Sequence, residues 1–335
     1  MNLEQYRGKK ILMTGGTGFL GKNLIPYAEK LGATVYAPSS QAYDLTQWDE
    51  THLLFCGNDG NTPEYDYIIH GASMQGAGDW NAFHQADQFR VNTAIHSNVL
   101  EAWYRFQPQA VMIGCGSSCS YPGNLHVLHE EDYMTGPMHE SLQFYGLTKA
   151  LMQQGIEAYK AQHSELRGTT GVFATLYGPH DPVGERAHVA TALITKFVKA
   201  KKENLPEVEV WGDGTQTREL TYVDDQIRGL LMIADYNGPI INIGTGVEIT
   251  IADLAELIAE LTEYTGKIVY NPNQFVGIKH KVLDISLAKK IYKWTVDPPL
   301  ISLREGLKKT IQWYNENGLE ISTRPSYSDK FRRIE

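Results

Sequence analysis

Short apolar runs alternate with longer amphipathic stretches along most of this chain. The apolar runs predict six buried strands, at Lys10–Thr14, Thr34–Ala37, Asp66–His70, Ala110–Ile113, Thr170–Thr175 and Ile240–Gly244. Stretches with helical periodicity predict helices, at Phe19–Leu31, 86–105, 145–163, Ile251–Tyr264 and from Ile301 to about Gly318. This alternation indicates an α/β fold, with a Rossmann-type doubly wound parallel sheet and a smaller α/β substrate-binding domain.

The element order also predicts how the chain divides. The dinucleotide-binding Rossmann domain is expected to take residues 1–174, about 220–247 and 284–298. The substrate domain is expected to take about 175–219, 248–283 and 299–320. The polar tail, 321–335, is expected to be loose and to belong to neither domain.

The first predicted strand runs into a glycine-rich turn that suits a dinucleotide. Gly15, Gly18 and Gly21 have the G-x-x-G-x-x-G spacing between a strand and a helix. Residues without Cβ let backbone N–H groups approach a pyrophosphate at the positive end of the helix. A plain turn is the alternative. The turn predicts cofactor contacts by Gly15, Thr17, Gly18, Phe19, Leu20 and Gly21.

The end of the second strand discriminates between NAD and NADP. An acidic residue there binds the ribose 2′-OH and excludes a 2′-phosphate. This chain instead has Pro38-Ser39-Ser40, which favours NADP(H) over NAD and puts Ser39 or Ser40 near the phosphate. Asp44 and Leu45 are predicted to lie nearer the adenine, although Asp44 could instead cap the following helix.

Small residues follow the third strand, where they let a cofactor lie close. Ala72 and Ser73 are predicted to contact the cofactor, and Met74 to contact the substrate. Asn92, in the next helical stretch, is assigned to the cofactor site because it could hold the backbone beside it. A solvated position on the helix is the alternative for Asn92.

The fourth strand ends in a loop, Gly114–Pro122, that carries a hydroxyl on Ser117 and a thiol on Cys119. Ligands of parallel sheets bind at such carboxyl ends. About thirty residues later, Tyr145 and Lys149 have the i, i+4 spacing that puts two side chains on one helix face. The ammonium is expected to lower the pKa of the phenol and to hold the nicotinamide ribose, so that the tyrosine can exchange a proton with a carbonyl or alcohol.

Composition excludes several other classes of protein. The 335 residues hold 30 Lys and Arg against 39 Asp and Glu, and the net charge of −9 argues against nucleic acid or a membrane surface as partner. No apolar stretch predicts a membrane helix, and the polar start of the chain predicts no signal peptide. Three cysteines without a framework spacing favour a reduced, cytoplasmic protein, and no zinc-type spacing accompanies them, so no metal is predicted.

Together these motifs resemble the extended short-chain dehydrogenase/reductase superfamily over nearly the whole chain. Within its sugar-nucleotide branch, four segments look like the GDP-L-fucose synthase family: Gly116–Pro122, Tyr177–Asp181, Ala187–Val189 and Trp211–Arg218. The resemblance implies an NADP-dependent oxidoreductase acting on CH-OH that is also an isomerase, a 3,5-epimerase/4-reductase of a GDP-4-keto-6-deoxy sugar. It also implies a homodimer through helices 86–105 and 145–163.

The resemblance gives each catalytic residue a role. Cys119 and His188 become the epimerising base and acid, and Ser117, Tyr145 and Lys149 the reductase triad. The chemistry agrees, because a proton beside a ketone is acidic only if the enolate is stabilised, and Tyr145 and Ser117 can donate hydrogen bonds to that oxyanion. The structural alternatives are a buried filler role for Cys119 and a surface position for His188.

Seven residues are predicted to contact the nucleotide sugar: Met74, Ser118, Thr175, Lys196, Trp211, Arg218 and Lys281. Trp211 offers an apolar face to a base or sugar, and Arg218 can pair with a diphosphate. An ordinary solvated lysine is the alternative for Lys196.

Three interpretations of the function are weighed. The first is the epimerase/reductase above, with a mannose-type or heptose-type sugar and with one or both of C3 and C5 epimerised. The second is a nucleotide-sugar epimerase or C4-reductase alone, with tightly bound NAD(P). The third is a non-catalytic NADP-sensing regulator, which the presence of both Tyr145 and Lys149 disfavours.

Overall fold

A computed structural model describes residues 3–57, 62–76 and 80–318 of the chain. In chain order its strands are the following: β1 Lys10–Thr14, β2 Thr34–Tyr36, β3 Tyr67–His70, β4 Val111–Cys115, β5 Val127–Leu128, β6 Gly168–Phe173, β7 Thr175–Tyr177, β8 Glu207–Trp211, β9 Thr217–Tyr222, β10 Ile240–Ile243, β11 Glu248–Thr250, β12 Lys267–Asn271 and β13 Val282–Leu283. Its α-helices are the following: α1 Phe19–Lys30, α2 Trp48–Cys56, α3 Trp80–Phe83, α4 Gln85–Phe106, α5 Gln143–Gln162, α6 Val189–Glu203, α7 Val223–Met232, α8 Ile251–Leu261, α9 Ser286–Tyr292 and α10 Leu303–Asn317.

Six parallel strands form the central sheet, in the order β2-β1-β3-β4-β6-β10. The chain moves from β1 to one side for β2 and then to the other side for β3. Ligands of open parallel sheets bind at such a switch point, outside the carboxyl ends of the strands. The predicted Rossmann-type α/β fold is therefore confirmed, and the switch point lies at the ends of β1 and β3.

Both faces of the central sheet are covered, as the alternation of side chains along each strand requires. Ile11 and Met13 of β1 pack into one hydrophobic core with residues of α7, whereas Leu12 packs into another with residues of α4. Helices α4 and α5 lie against each other, and α1 lies against α7. The sheet is consequently buried on both sides, and its carboxyl edge is left for the site.

A second group of elements has its own hydrophobic core, formed mainly by α6, α8, α10 and the strands beside them. Its sheets are β11-β9-β7 and β12-β8. The short pair β13-β5 forms a two-stranded sheet of its own, beside β9. The predicted domain boundaries themselves stay a prediction.

One predicted strand divides in two. The run Thr170–Thr175 was expected as a single strand, but β6 ends at Phe173, and Thr175 opens β7, which pairs with β9 of the smaller sheet. The chain therefore changes sheets at Ala174, which periodicity does not reveal because both strands are apolar. The predicted tail, 321–335, lies outside the described residues. Within the described ranges, no helix is long and apolar enough to cross a membrane.

Candidate active site

The glycine-rich turn joins β1 to α1 and fits a pyrophosphate. Gly15 has a φ of +78°, and a Cβ on it would lie 2.8 Å from the backbone nitrogen of Ala72. A Cβ on Gly21 would lie 2.4 Å from the Cα of Gly16. Gly18 begins α1 without any side-chain cap, so the first N–H groups of the helix are left for an anion.

The loop after β2 carries Ser39, which is half-buried, and Ser40, which is exposed. Asp44 lies further along, where its carboxylate accepts hydrogen bonds from the backbone N–H and the hydroxyl of Thr46, at 3.0 and 2.7 Å. Leu45 is buried in the core beside the sheet. The structure thus places the two serines at the strand end and holds Asp44 in a local turn; the cofactor roles of all four residues stay predictions.

The side chain of Asn92, in α4, holds the backbone of the loop after β3. This side chain is fully buried, accepts a hydrogen bond from the N–H of Met74 at 2.6 Å and donates to its carbonyl at 3.1 Å. Asn92 therefore holds the backbone of this loop, as the sequence suggested. The alternative, a solvent-exposed Asn92 on the helix, is wrong. The Met74 side chain itself is buried in the core with Trp80, so it is not presented as an open substrate contact.

Ser117, Tyr145 and Lys149 meet at the end of β4. Ser117 begins a short 3-10 turn by accepting a hydrogen bond from the N–H of Cys119 at 3.2 Å. Helix α5 approaches this turn so closely that a Cβ on Gly146 would lie 2.2 Å from the Cys119 carbonyl oxygen. Gly146 therefore allows the helix that carries Tyr145 and Lys149 to pack directly on the loop that carries Ser117 and Cys119.

Burial shifts the pKa values of Tyr145 and Lys149. Burial raises the pKa of Tyr145, and nearby Cys119 adds to that rise, while a hydrogen bond with Ser117 opposes it. Burial also lowers the pKa of Lys149 to about 8, and its ammonium donates to the carbonyl of Cys115 at 3.0 Å. Desolvation of the ring thus raises the pKa of Tyr145 overall, and the lowering expected from the Lys149 ammonium stays a prediction.

A crevice beside Cys119 gathers four of the predicted substrate residues. Its walls include the following side chains: Ser118, Ala174, Thr175, Arg218, Glu219, Lys281 and Leu283. The Lys281 ammonium lies 3.8 Å from the Cys119 sulfur, and Cys119 is half-buried. At this distance the Lys281 ammonium can donate a hydrogen bond to the Cys119 sulfur.

The Arg218 guanidinium is already engaged by backbone. It donates to the carbonyls of Val276 and Ile278, both at 2.7 Å, and to that of Thr217. Sequence reasoning did not find Glu219, whose buried carboxylate accepts a hydrogen bond from the N–H of Leu283 at 2.7 Å. Glu219 thereby ties the strand after Lys281 to the strand of Arg218. No spacing in the sequence links the two segments.

His188 lies just before α6 and is held by a buried carboxylate. Its Nδ1 lies 2.6 Å from Asp181 Oδ1, and Asp181 also accepts a hydrogen bond from Thr191. Burial pushes the pKa of His188 down, but the charge and hydrogen bond of Asp181 outweigh it, so the net pKa is raised. The surface alternative is wrong, since the imidazole is four-fifths buried, with a side-chain exposure of 20%. His180, by contrast, packs its ring against Trp313, in keeping with a structural role.

Gln75 connects the two halves of the site, and sequence reasoning missed it. The Tyr145 hydroxyl donates to Gln75 Oε1 at 3.0 Å, while Gln75 Nε2 lies 3.3 Å from His188 Nε2. Arg186 donates to the Gln75 carbonyl at 2.9 Å and so fixes its backbone. One amide therefore links the Tyr145 hydroxyl to the His188 imidazole. The only sequence signal was its place in a strand-end loop.

Lys196 and Trp211 form a separate pair. The Lys196 ammonium lies 5.3 Å from the centre of the Trp211 ring and donates to the Glu209 carbonyl at 2.9 Å. An ammonium over an indole face is a cation–π contact, so Lys196 is not simply solvated. The pair does not line the crevice beside Cys119.

Replacing Asp181 by asparagine is expected to slow any proton transfer by His188 roughly a hundredfold at neutral pH. Without the carboxylate, burial of the imidazole is no longer opposed, so the pKa of His188 falls and the imidazolium is lost at a lower pH. The measurement is the pH profile of solvent-deuterium uptake by a ketosugar substrate. The Asp66→Asn variant is the control, since Asp66 pairs with Lys9 at the opposite end of the sheet. An unchanged profile for Asp181→Asn would show that Asp181 does not set the protonation of His188.

Gln75→Met is expected to slow deuterium uptake and NADPH oxidation together, each by about fivefold, because each reaction loses one hydrogen bond of about 1 kcal/mol. Gln75→Glu keeps an acceptor for Tyr145 but sets a carboxylate against His188, which should move the pH profile of uptake to higher pH. The exposed Gln47→Met variant is the control. If Gln75→Met slows only one of the two reactions, Gln75 does not link them.

The parallel sheet, the glycine turn at its switch point and the Ser-Tyr-Lys set at its carboxyl edge define an extended short-chain dehydrogenase/reductase. The chain belongs to the NAD dependent epimerase/dehydratase family, whose model matches residues 11–244. The fold and this family agree with the class predicted from the sequence.

Curated relatives match along nearly their full length. The chain is 32% identical to a putative GDP-L-fucose synthase 2 of Arabidopsis thaliana over 316 residues, which is 93% of each chain. It is 31% identical to the GDP-L-fucose synthase of Escherichia coli K12 over 324 residues, covering 92% of this chain and 97% of the relative. The recognition of a GDP-L-fucose synthase-like enzyme is therefore confirmed.

Solved structures show the same fold. A GDP-L-fucose synthetase from Naegleria fowleri bound to NADP superposes with a TM-score of 0.82 at 24% identity, over 93% of this chain and 95% of that one. A GDP-mannoheptose C4 reductase from Campylobacter jejuni with NADP bound superposes with a TM-score of 0.80 at 23% identity, over 94% and 99%. The predicted class of nucleotide-sugar epimerase/reductase is confirmed by the family and the curated relatives together.

Proposed function

We propose that this chain is an NADPH-dependent 3,5-epimerase/4-reductase of a GDP-4-keto-6-deoxy sugar. The observation that carries the proposal is the chain of contacts around Tyr145. Gln75 links its hydroxyl to the Asp181-held His188, and Ser117 links it to the turn of Cys119. A base, an acid and a hydroxyl donor thus surround one reaction site.

The cofactor is NADP(H), as the sequence predicted. Relatives named GDP-L-fucose synthase cover nearly the whole chain, and the Naegleria fowleri enzyme was solved with NADP. The glycine turn and the uncapped start of α1 would hold the pyrophosphate, and Ser39 and Ser40 offer hydroxyls without a competing acid at the end of β2. When bound, this group supplies the hydride for C4 of the sugar.

Epimerisation uses a base and an acid on opposite faces of the sugar ring. The sulfur of Cys119 removes a proton from the carbon beside the C4 ketone, and the hydroxyls of Tyr145 and Ser117 stabilise the enolate oxygen. The His188 imidazolium then protonates the same carbon from the other face. Asp181 favours the charged imidazolium, which is the form that can give a proton.

Reduction of C4 uses the same tyrosine as a proton donor. The raised pKa of Tyr145 keeps its proton on oxygen until a negative charge develops on the C4 oxygen. The neutral phenol then gives that proton as hydride arrives at C4. Lys149, whose ammonium donates to the Cys115 carbonyl at the end of β4, would bind the nicotinamide ribose.

The substrate is a GDP-linked 4-keto sugar of the mannose or heptose type. The crevice beside Cys119 supplies the hydroxyls of Ser118 and Thr175 and the ammonium of Lys281. Trp211, at 37% exposure, and Lys196 offer an aromatic face and a cation to the nucleotide. A homodimer through the outer faces of α4 and α5 and the two-domain division form part of the same proposal.

The function is tested by incubating the protein with NADPH and GDP-4-keto-6-deoxymannose in deuterium oxide. We expect NADPH oxidation with deuterium at C3 and C5 of the product, read by absorbance and by mass spectrometry. A parallel reaction with a GDP-4-keto heptose compares the two sugar types.

Each other outcome would indicate a different function for this protein. NADPH oxidation without deuterium uptake would mean a C4-reductase alone. Deuterium uptake without net oxidation would mean an epimerase with tightly bound cofactor. NADPH binding with no reaction on any GDP-4-keto sugar would overturn the proposal and would indicate a non-catalytic NADP-sensing regulator.

A further inference from the structure

Three potential metal ligands meet beside the substrate crevice, outside the catalytic set. His126 precedes β5, Glu248 opens β11 and His280 lies two residues before β13. One ligand atom from each lies within 4.8 Å of the others. We refer to these three residues as the 126–248–280 cluster.

Backbone hydrogen bonds hold the three segments in place. The N–H of Val282 donates to the His126 carbonyl at 2.9 Å, which ties His126 to the segment that carries His280. The N–H of Thr217 donates to the Lys279 carbonyl at 2.9 Å, and Thr217 also pairs with Thr250 in the β9-β11 ladder. Paired strands and backbone hydrogen bonds therefore hold the three ligands near one another, so the side chains would need to move little to coordinate an ion.

One hydroxyl orients two of the ligands. Thr217 Oγ1 lies 3.1 Å from His280 Nδ1 and donates to Glu248 Oε1. These contacts leave His280 Nε2 and Glu248 Oε2 as the remaining ligand atoms of those two side chains. A hydrogen-bond partner on the far side of a ligand is the usual way in which proteins fix a metal-binding imidazole or carboxylate.

His126 completes the set from the solvent side. Its Nε2 lies 2.6 Å from Glu248 Oε2, and its ring centre lies 5.3 Å from that of His280. The His126 side chain is half exposed, at 55%, so the cluster is open to ions in solution. An incoming cation would replace the single His126–Glu248 hydrogen bond by coordination to both groups.

We propose that the 126–248–280 cluster binds one divalent transition-metal ion, with Zn²⁺ as the preferred ion. Two imidazoles and one carboxylate form a common three-ligand zinc set, in which water takes the fourth position. Nitrogen and oxygen donors with open geometry also accept Co²⁺ and Ni²⁺, whereas Mg²⁺ and Ca²⁺ prefer oxygen ligands. Spacing in the sequence cannot reveal the set, because its members are more than thirty residues apart.

The position of the cluster gives the ion a structural consequence. Lys281, which lines the crevice, follows His280 directly, and Arg218, which also lines it, follows Thr217, whose hydroxyl contacts two of the ligands. A bound ion would hold Lys281 in place beside Cys119. The binding itself does not rest on the proposed function, and its test needs no turnover.

The test uses the full chain without a histidine tag, freed of metal by a chelator and titrated with Co²⁺. We expect one equivalent per chain, visible absorption of the intensity typical of four-coordinate Co²⁺, and displacement by one equivalent of Zn²⁺. The variants His126→Gln and His280→Gln should each weaken binding at least tenfold. His129→Gln is the matched control, because His129 is also half exposed and follows three residues after His126.

Native mass spectrometry and circular dichroism of each metal-free variant confirm that it is folded before titration. Absence of saturable Co²⁺ binding would overturn the proposal. So would weak binding with the pale spectrum of six-coordinate Co²⁺, or binding that survives in both His126→Gln and His280→Gln. A loss of binding in His129→Gln equal to that in the cluster variants would also overturn it.

Discussion

Replacing Cys119 by serine is expected to slow deuterium uptake at C3 and C5 of the ketosugar severely while NADPH binding stays intact. The expected loss is about a hundredfold to ten-thousandfold, the usual contribution of a positioned general base. Serine keeps the shape of the side chain but cannot ionise near neutral pH. The measurement is mass-spectrometric uptake from deuterium oxide, with NADPH affinity followed by fluorescence.

The environment of Cys119 explains why this one sulfur should matter. Its half-buried thiol lies 3.8 Å from the Lys281 ammonium, and its turn is fixed through Ser117. The matched control is Cys56→Ser. Cys56 is a half-buried residue at the end of α2, and its thiol donates a hydrogen bond to the neighbouring Gly57 carbonyl. Uptake that survives in Cys119→Ser would show that another group is the base.

Tyr145→Phe is expected to lower NADPH oxidation by about a hundredfold to ten-thousandfold, since the proton donor for the C4 oxygen is removed. Deuterium uptake should fall as well, because the same hydroxyl stabilises the enolate. Burial raises the pKa of Tyr145, so the wild-type rate should not depend on ionisation of this phenol anywhere near neutral pH. Stopped-flow absorbance of NADPH, from pH 6 to 9, is the measurement.

The control for Tyr145→Phe is Tyr67→Phe. Tyr67 begins β3 at the end of the sheet away from the site, where its ring packs 4.8 Å from that of Tyr6. This variant should oxidise NADPH at the wild-type rate. If Tyr145→Phe kept both reactions, the proton donor would have to be sought in Ser117 or His188.

Several parts of the site were predictable because they depend on neighbours in sequence. The glycine spacing after β1 follows from the space needed for a turn and a helix start, so it can be recognised from the sequence alone. The Tyr145–Lys149 pair follows from helix geometry alone. The placement of Ser117 and Cys119 follows from the end of an apolar strand.

Other parts depend on contacts between distant segments. Gln75 was missed because its partners, Tyr145 and His188, lie 70 and 113 residues away. Asp181 was noted only as part of a motif, and its hold on His188 became visible when α6 was placed. The raised pKa of Tyr145 was not foreseen, because burial of the ring could not be judged from spacing.

By itself, the sequence determined the fold class and the dinucleotide turn, and it predicted the cofactor preference and the reacting side chains. These features depend on backbone sterics and short-range periodicity, which neighbouring residues set. Only the tertiary structure decided that Lys281 faces Cys119, that Gln75 bridges the two half-sites and that His126, Glu248 and His280 converge. Burial and charge act through space, so such contacts exist only after distant strands and loops have packed together.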